Sequence, residues 1–423
     1  ARGRYSAFAD RGAEGLCAMG AAAGAAALPP RQGFAMHIFF SVGEPSGDQH
    51  AAELIHEIRQ RCPDAEFSGY GGPQMEQAGF LKLFQLTDLA VMGFFAVVPL
   101  LAKFIGLARR ARRYLREHRP DAVVLVDFPG FNWWIARAAK LEGIPVYYYM
   151  PPQLWAWAPW RIRRVHKYVD CVLAALPFEA KWYRDRNATV EYVGHPFFDE
   201  VAAHQLDAEF CASLKEPGTR NVAILPGSRN QEVRRNFPVM LRVMHRLYRE
   251  HPDLRFRVAS YKEHQRDFCQ SLLTGRFAEL PIDFHVKRTS EVIETADCCL
   301  MVSGSVSLEL LARATPAVVL YRAGWVMYGM AWLLATCKYI SLPNLIADRV
   351  VIPEFPFTTN KGHYIGKMTT ILDGWLSDEQ ELAAVRDDMA QLRDAVIERG
   401  GIAKAAEVIL ERIPQSQVRR RAA

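Results

Sequence analysis

Short apolar runs alternate with amphipathic segments along most of the chain. The short runs predict strands, and the segments with apolar residues every three or four positions predict helices. In the first half the predicted strands are 37–43, 66–70, 122–128, 145–150, 169–175 and 190–194, and the predicted helices are 48–61, 97–118, 131–142, 160–167 and 178–186. Most strand runs are continuously apolar, which predicts a parallel sheet covered by helices on both faces.

The pattern restarts after a polar stretch at 200–218, which we interpret as a linker. The predicted strands of the second half are 221–225, 255–260, 282–286, 298–302, 317–321 and 340–342, and the predicted helices are 236–250, 263–273, 305–314 and 325–336. The last fifty residues are predicted to be helical. Two such halves predict an α/β protein with two doubly wound domains, 36–217 and 218–412, that face a cleft. Ligands of these sheets bind beyond the carboxyl ends of the strands.

The two ends of the chain lie outside this pattern. Residues 1–35 are rich in Ala, Gly and Arg without any period, and we interpret them as a disordered or non-native extension before Met36. A targeting peptide is the alternative, but the run 20–27 is short and weakly apolar for one. Residues 413–423 form a basic tail.

Composition narrows the class of protein. The chain has 423 residues, 52 basic and 46 acidic, and this balance suits a protein near anionic lipid or nucleic acid without choosing between them. No RNA-binding motif is present, so we expect no nucleic-acid partner. The eight cysteines show no zinc-binding spacing, which predicts reduced thiols and no structural metal.

The segment 91–107 is almost continuously apolar, and an arginine cluster follows it directly. This arrangement is typical of a helix in a membrane interface, with arginines near lipid phosphates. The membrane-facing candidates are Phe94, Phe95, Leu100, Phe104, Arg109 and Arg112. The alternative is a helix whose apolar side faces the protein core. No stretch reaches the roughly 20 apolar residues of a spanning helix.

Polar residues follow several predicted strands. Asp127 closes an apolar strand and is a candidate general base, although a turn carboxylate is the alternative. The turn at Gly227, Ser228 and Arg229 offers backbone N–H groups and a guanidinium to an anion. Ser303, Gly304 and Ser305 open a helix, where a diphosphate would bind, and Glu309 could accept ribose hydroxyls. Ordinary turns and helix caps remain the alternatives for both segments.

Four further features are candidates for ligand contact. The loop with Trp155 and Trp157 would suit a sugar ring, an acyl chain or a base. His195 either binds a ligand or caps a turn, and Asn344 has both a donor and an acceptor. The first strand ends at a Gly-rich junction that contains Glu44, Ser46, Gly47 and Asp48.

Together these segments give the chain a resemblance to the lipid-A-disaccharide synthase family. The members of that family are glycosyltransferases of the GT-B fold. The resemblance covers about residues 36–412 and rests on ten short motifs in family order. They are Gly43–Asp48, Gly71–Met75, Ala90–Gly93, Val126–Asn132, Trp155–Trp157, Leu176–Glu179, Gly194–His195, Leu225–Arg229, Ser303–Gly304 with Glu309, and Ser341–Asn344.

The resemblance implies a reaction and roles for residues. It implies transfer from UDP-2,3-diacylglucosamine to 2,3-diacylglucosamine 1-phosphate, with inversion, release of UDP and no metal or cofactor. Asp127 would be the base. The diphosphate would face Gly227, Ser228, Arg229, Ser303, Gly304 and Ser305, and Glu309 and Asn344 would line the nucleotide pocket. Glu44, Ser46, Gly47, Asp48, Asn132, Trp155, Trp157 and His195 would line the substrate cleft.

The acylated substrates raise the expectation of a membrane-facing helix at 91–113. The implied location is the cytoplasmic face of the inner membrane, with inner-leaflet lipid as a partner. A homodimer is possible, and the oligomeric state is left undecided by the sequence. The sequence departs from the family at Gly130, Ser305 and Phe355. A UDP-sugar 2-epimerase of similar fold, with several cleft carboxylates and histidines, and a non-enzymatic peripheral membrane protein are the competing interpretations.

Overall fold

The computed structural model describes residues 36–90, 97–325, 335–359 and 361–413, together with Gly329 and Leu333. The predicted extension 1–35, the tail beyond Ile413 and most of the predicted helix 325–336 lie outside these residues.

The first half folds around a seven-stranded parallel sheet in the order β3-β2-β1-β4-β5-β6-β7. The strands are β1 His37–Val42, β2 Glu66–Gly71, β3 Leu81–Gln85, β4 Ala122–Val126, β5 Val146–Tyr149, β6 Cys171–Ala174 and β7 Val190–Tyr192. The helices are α1 Pro45–Arg61, α2 Pro73–Gln77, α3 Thr87–Ala90, α4 Val97–His118, α5 Pro129–Leu141, α6 Ile162–Tyr168, α7 Pro177–Arg184, α8 Pro196–Ala203 and α9 Ala208–Leu214.

The second half contains a six-stranded parallel sheet in the order β10-β9-β8-β11-β12-β13. The strands are β8 Arg220–Leu225, β9 Leu254–Ser260, β10 Ile282–Val286, β11 Cys298–Val302, β12 Ala317–Arg322 and β13 Glu354–Phe357. The helices are α10 Asn230–Glu250, α11 Glu263–Ser271, α12 Thr289–Glu294, α13 Val306–Arg313, α14 Leu342–Ala347, α15 Lys361–Ser377, α16 Glu379–Val396 and α17 Gly401–Arg412.

Each sheet is buried on both faces, as its continuously apolar strands predict. In β1, Phe39 packs into the cluster beneath α4 and α5, whereas Ile38 and Phe40 pack into the cluster beneath α1. The same alternation occurs in β11, where Leu300 and Met301 enter different clusters. The prediction of two doubly wound α/β units is therefore confirmed.

The final helix crosses from the second half of the chain to the first. Ala405, Ala406 and Ile409 of α17 lie in the same apolar cluster as Leu54 and Ile58 of α1. Residues 401–412 are predicted to belong to the second domain, but they pack on the first.

Helix α4 turns its apolar side toward the core. Leu107, Ala111 and Leu115 are buried, and Phe104 packs on the Phe131 ring at a centroid distance of 5.6 Å. Phe104 is partly buried by this packing, and its contact with lipid stays a prediction. Phe94 and Phe95 lie outside the described residues, and the side chain of Leu100 is not described.

The rest of the α4 surface is exposed and basic. Arg109 and Arg112 are exposed, and Leu101 keeps 51% of its surface accessible. Among the described residues, no helix combines the length and apolarity needed to cross a bilayer.

Candidate active site

A cavity of about 440 Å³ lies where the two halves of the molecule meet. The first half contributes residues that follow the carboxyl ends of its strands, and the second half contributes residues from the turn after β8 and from α14. Its polar lining includes Glu44, Asp127, Glu179, His195 and Arg229. The position agrees with the expectation that ligands of doubly wound sheets bind beyond the strand ends.

Asp127 lies in an unusual backbone conformation directly after β4. Its φ angle is 46°, and that of Phe128 is 45°, so two consecutive non-glycine residues occupy the left-handed region. Such a turn costs conformational energy and persists only where its surroundings hold it. Gly43 packs against it so closely that a Cβ atom there would lie 2.2 Å from the Phe128 ring.

The backbone carbonyl of Asp127 is fixed by two side chains. The Asn132 amide and the Tyr148 hydroxyl each donate a hydrogen bond to it at 2.8 Å. The carboxyl group lies near Gly47, where an added Cβ would be 3.4 Å from its Oδ2 atom. Gly47 therefore leaves room for the Asp127 carboxylate at the start of α1.

The surroundings of Asp127 favour its protonated form. Burial, followed by the charges of Glu44 and Glu179, raises its pKa from 3.8 to about 8. Burial raises the pKa because a charged carboxylate loses its hydration, and like charges add to that cost. The ionised form of such a group is a stronger base than an ordinary carboxylate, and its fraction grows as pH rises toward 8.

Two residues predicted to line the cleft are structural instead. Asp48 is buried, and its carboxylate accepts hydrogen bonds from the backbone N–H groups of Gly72, Gln74 and Met75 at 2.9, 3.0 and 3.2 Å. It therefore ties α1 to the first turn of α2.

Asn132 is also fully buried, and it joins the ends of β1 and β4. Its amide donates to the carbonyl oxygens of Ser41 and Val126 at 3.1 Å, and its Oδ1 accepts from the Ser41 hydroxyl at 2.7 Å. Its contribution to the site is to hold the Asp127 turn, not to contact a ligand.

At the junction between β1 and α1, Glu44 lines the cavity, whereas Ser46 is exposed and is not part of the lining.

The tryptophan loop has one buried and one accessible ring. Trp155 is buried, and its indole N–H donates to Glu179 Oε1 at 3.0 Å. Trp157 is 42% exposed and lines the cavity. The backbone N–H of Thr336 donates to the Ala156 carbonyl at 3.0 Å, so the loop is also bonded to the second half of the molecule.

His195 lies at the cavity wall and caps α8. Its Nδ1 atom accepts from the backbone N–H of Phe197 at 3.1 Å. Burial, with a smaller effect of His50, lowers its pKa to about 3, so the ring is neutral at physiological pH. The capping interpretation of His195 is confirmed, and its binding of a ligand from the cavity wall stays a prediction.

Glu179 is the site residue that sequence reasoning missed. It lies in the first turn of α7, after β6, and is only 3% exposed. One carboxylate oxygen accepts from Trp155 and the other from the backbone N–H of Ala175 at 3.3 Å. The sequence signal that could have identified Glu179 is the same as for Asp127: an acidic residue shortly after a buried strand.

The turn after β8 presents Arg229 to the cavity. Gly227 adopts a φ of 116°, and a Cβ atom there would lie 2.9 Å from Glu232. Ser228 is exposed, and 79% of the Arg229 side chain is accessible although Nη1 lies 3.2 Å from Glu232. Most of its guanidinium is therefore available to an anion.

The second predicted anion turn is only partly open. Gly304 and Ser305 are exposed at the start of α13, whereas the Ser303 hydroxyl donates to the Ile340 carbonyl at 2.7 Å. Neither of the two exposed residues lines the cavity between the halves. The turn therefore offers backbone groups, while the Ser303 side chain anchors the neighbouring loop.

Glu309 and Asn344 do not present free side chains to a nucleotide. Glu309 is buried, and it accepts from Arg313 Nε at 3.1 Å. Asn344 is fully buried, donates to Ile352 and Glu354, and accepts from the backbone N–H groups of Val351 and Ile352. Both were predicted to line the nucleotide pocket, and in this structure both bond within the protein.

Within the described ranges, no group of three or more His, Cys, Asp or Glu side chains is placed to hold a metal ion.

Comparison with protein families gives a match over most of the chain. The model of the family described as lipid-A-disaccharide synthetase matches residues 38–410. A lipid-A-disaccharide synthase of Nitrosococcus oceani is 37% identical over 316 residues, which are 74% of this chain and 80% of that protein. The enzyme of the same name from Anaeromyxobacter dehalogenans is 33% identical over 88% of this chain and 96% of its own.

Solved structures match the fold at low sequence identity. A co-structure of S. aureus MnaA with UDP has a TM-score of 0.58 at 12% identity, covering 87% of this chain and 94% of that one. A glycotransferase of kitacinnamycin has a TM-score of 0.56 at 16% identity, covering 90% of this chain and all of the other. With the two facing parallel sheets, these matches show a GT-B type fold.

Proposed function

Because the chain belongs to the lipid-A-disaccharide synthase family, glycosyltransferases of lipid A biosynthesis, we propose that it joins UDP-2,3-diacylglucosamine to 2,3-diacylglucosamine 1-phosphate. The products would be the β-1,6-linked disaccharide 1-phosphate and UDP, with inversion at the anomeric carbon. The family membership supports the reaction class, and the two acylated substrates and the stereochemistry are the proposal.

The observation that carries the proposal is the position of Asp127. Its carboxyl group lines the cavity between the two halves and has a pKa raised to about 8. In the proposed step the acceptor 6-hydroxyl oxygen bonds to the anomeric carbon while the bond from that carbon to the diphosphate oxygen breaks. The hydroxyl proton passes to Asp127, and UDP leaves with the electron pair.

Arg229 is the proposed partner of the diphosphate. Its largely exposed guanidinium reaches the same cavity from the other half of the molecule. A guanidinium matches two phosphate oxygens, so it can neutralise leaving-group charge without a metal. The MnaA neighbour of the same fold forms a co-structure with UDP, which supports UDP as a ligand of this chain. Gly227, Ser228 and the turn 303–305 complete the proposed diphosphate site, and the buried Glu309 and Asn344 are left out of it.

We also propose peripheral contact with the inner membrane at its cytoplasmic face. The acyl chains of both substrates require a route from lipid to the cavity. The exposed arginines of α4 and the exposed Leu101 form a basic surface with an apolar edge, which suits anionic lipid headgroups.

The epimerase alternative keeps one observation in its favour. The cavity contains Glu44, Asp127, Glu179 and His195, which is the set of carboxylates and histidine that an epimerase would carry. Family membership favours the transferase. The requirement for an acylated acceptor separates the two reactions, because an epimerase turns over a UDP-sugar alone.

The proposal is tested by Asp127→Asn. We expect turnover to fall by about 10²–10⁴-fold, the usual contribution of a general base. UDP affinity should be unchanged. Loss of both turnover and UDP binding would assign Asp127 a structural role, and retained turnover would exclude it as the base.

A further inference from the structure

Glu179 is a buried carboxylate that the proposed mechanism does not use. Burial raises its pKa to about 7, and the hydrogen bonds from Trp155 and from the backbone at 175–176 oppose that effect. Ionising a carboxyl group that is only 3% exposed costs free energy, because the charge loses its hydration. A group of this kind in a cavity wall is therefore a candidate for a functional role.

The topology brings Glu179 close to Asp127. Strand β5 is the only strand between β4 and β6, so their ends are roughly 10 Å apart at the usual strand spacing. Both carboxyl groups line the same cavity. The hydrogen bonds to Trp155 and Ala175 fix the Glu179 carboxylate, so its charge acts from a constant position.

We propose that Glu179 is a positioning residue for the transfer reaction, because its fixed negative charge makes Asp127 a stronger base. This inference rests on the proposed function for its consequence in catalysis. Glu179 does not itself touch the reacting atoms in this account. It acts through the field that it places on Asp127, in a cavity where water screens charges poorly.

Other charged and titratable groups face the same pair. Glu44 adds a negative charge from the start of α1, and Arg161 and Arg229 add positive charge at the cavity wall. His195 is neutral near pH 7 because its pKa is lowered. The hydroxyls of Tyr148 and Tyr183 stay protonated, since burial raises their pKa well above 10. Glu179 is the member of this set whose carboxylate is held by hydrogen bonds from both sides.

The experiment measures the pKa of Asp127 directly in the full-length protein. The carboxyl ¹³C shift of labelled Asp is followed against pH, and the Asp127 resonance is assigned by its absence in Asp127→Asn. We expect Glu179→Gln to lower the pKa of Asp127 by about 0.5–1 unit, the effect of removing a nearby like charge. Glu179→Asp retains the charge and should keep the parent value. Glu76→Gln removes an exposed carboxylate that pairs with Lys82 and serves as the matched control.

The pH dependence of kcat/KM provides the second readout. We expect its acidic limb to move to lower pH in Glu179→Gln by the same amount, with the plateau reduced about threefold because a weaker base accelerates less. An unchanged Asp127 pKa in Glu179→Gln, in protein with parental thermal unfolding, would overturn the inference. If Glu179→Gln does not fold, parental values in Glu179→Asp together with a shift in Glu76→Gln would overturn it.

The two readouts separate this inference from the proposed function. If the pKa of Asp127 moves but the rate profile does not, the electrostatic role of Glu179 stands and Asp127 is not the base. If both move together, both proposals stand.

Discussion

Replacing Asp127 with Asn should make the protein more stable while it removes activity. The pKa of this carboxyl is raised from 3.8 to about 8, so the folded state binds its proton more tightly than the unfolded chain does. Stability then falls as pH rises from about 4 through about 8, because the unfolded chain releases a proton that the folded protein retains. Asn resembles the neutral carboxyl and removes this penalty.

The magnitude follows from the shift. About four pKa units at 1.36 kcal/mol each give an upper bound of about 5–6 kcal/mol above pH 8. Asp127 is partly accessible to water, and screening reduces the figure to about 1–3 kcal/mol. For a domain of this size that corresponds to a rise in Tm of roughly 2–10 °C.

The assay is thermal unfolding of parent and Asp127→Asn at pH 5 and pH 8.5. We expect a small Tm advantage for the variant at pH 5 and a clearly larger one at pH 8.5, because most of the penalty accumulates between these two pH values. Asp88→Asn, at an exposed position of α3, is the control and should show no such pH dependence. A difference that is the same at both pH values, or a variant that is less stable at pH 8.5, would refute the reasoning.

Three further substitutions separate structural from ligand-binding residues. Asp48→Ala removes the acceptor of three backbone N–H groups and should lower the free energy of unfolding by about 2–4 kcal/mol, measured in urea; a loss below about 0.5 kcal/mol would contradict the capping role. Asn344→Ala should cost about 2–4 kcal/mol with UDP affinity unchanged by calorimetry, and weaker UDP binding at parental stability would instead return Asn344 to the nucleotide site. Arg229→Ala should weaken UDP binding by about tenfold or more without a change in Tm, and an unchanged UDP affinity would remove Arg229 from the diphosphate site.

The alternation of strands and helices is readable from the sequence, but two edge strands are not. Strand β3, Leu81–Gln85, is half-buried along its whole length, so its apolar signal is weak. Strand β13, Glu354–Phe357, contains Pro356, which argues against a strand in sequence reasoning yet is tolerated at a sheet edge. The predicted strand 340–342 is wrong, because Leu342 begins α14 and Ile340 bonds to Glu354 through its backbone N–H.

For the site, the sequence indicates which residues follow strand ends but not where their side chains point. Asp127 and Arg229 face the cavity as expected. Asn132 and Asn344 also follow predicted strands, yet each side chain is buried and bonds to backbone groups of neighbouring segments. Those partners are distant in the chain or belong to turns whose geometry only the folded structure defines. Glu179 was missed for the same reason, since its place beside Asp127 in the lining of one cavity depends on the order of β4, β5 and β6.

The reaction itself is the most direct test of the account. The full chain is incubated with UDP-2,3-diacylglucosamine and 2,3-diacylglucosamine 1-phosphate in detergent micelles with excess EDTA, and the products are identified by mass spectrometry and NMR. We expect UDP and a β-1,6-linked disaccharide 1-phosphate, both absent with Asp127→Asn. Failure to form the disaccharide while UDP still binds, or an epimerised UDP-sugar in the absence of acceptor, would contradict it.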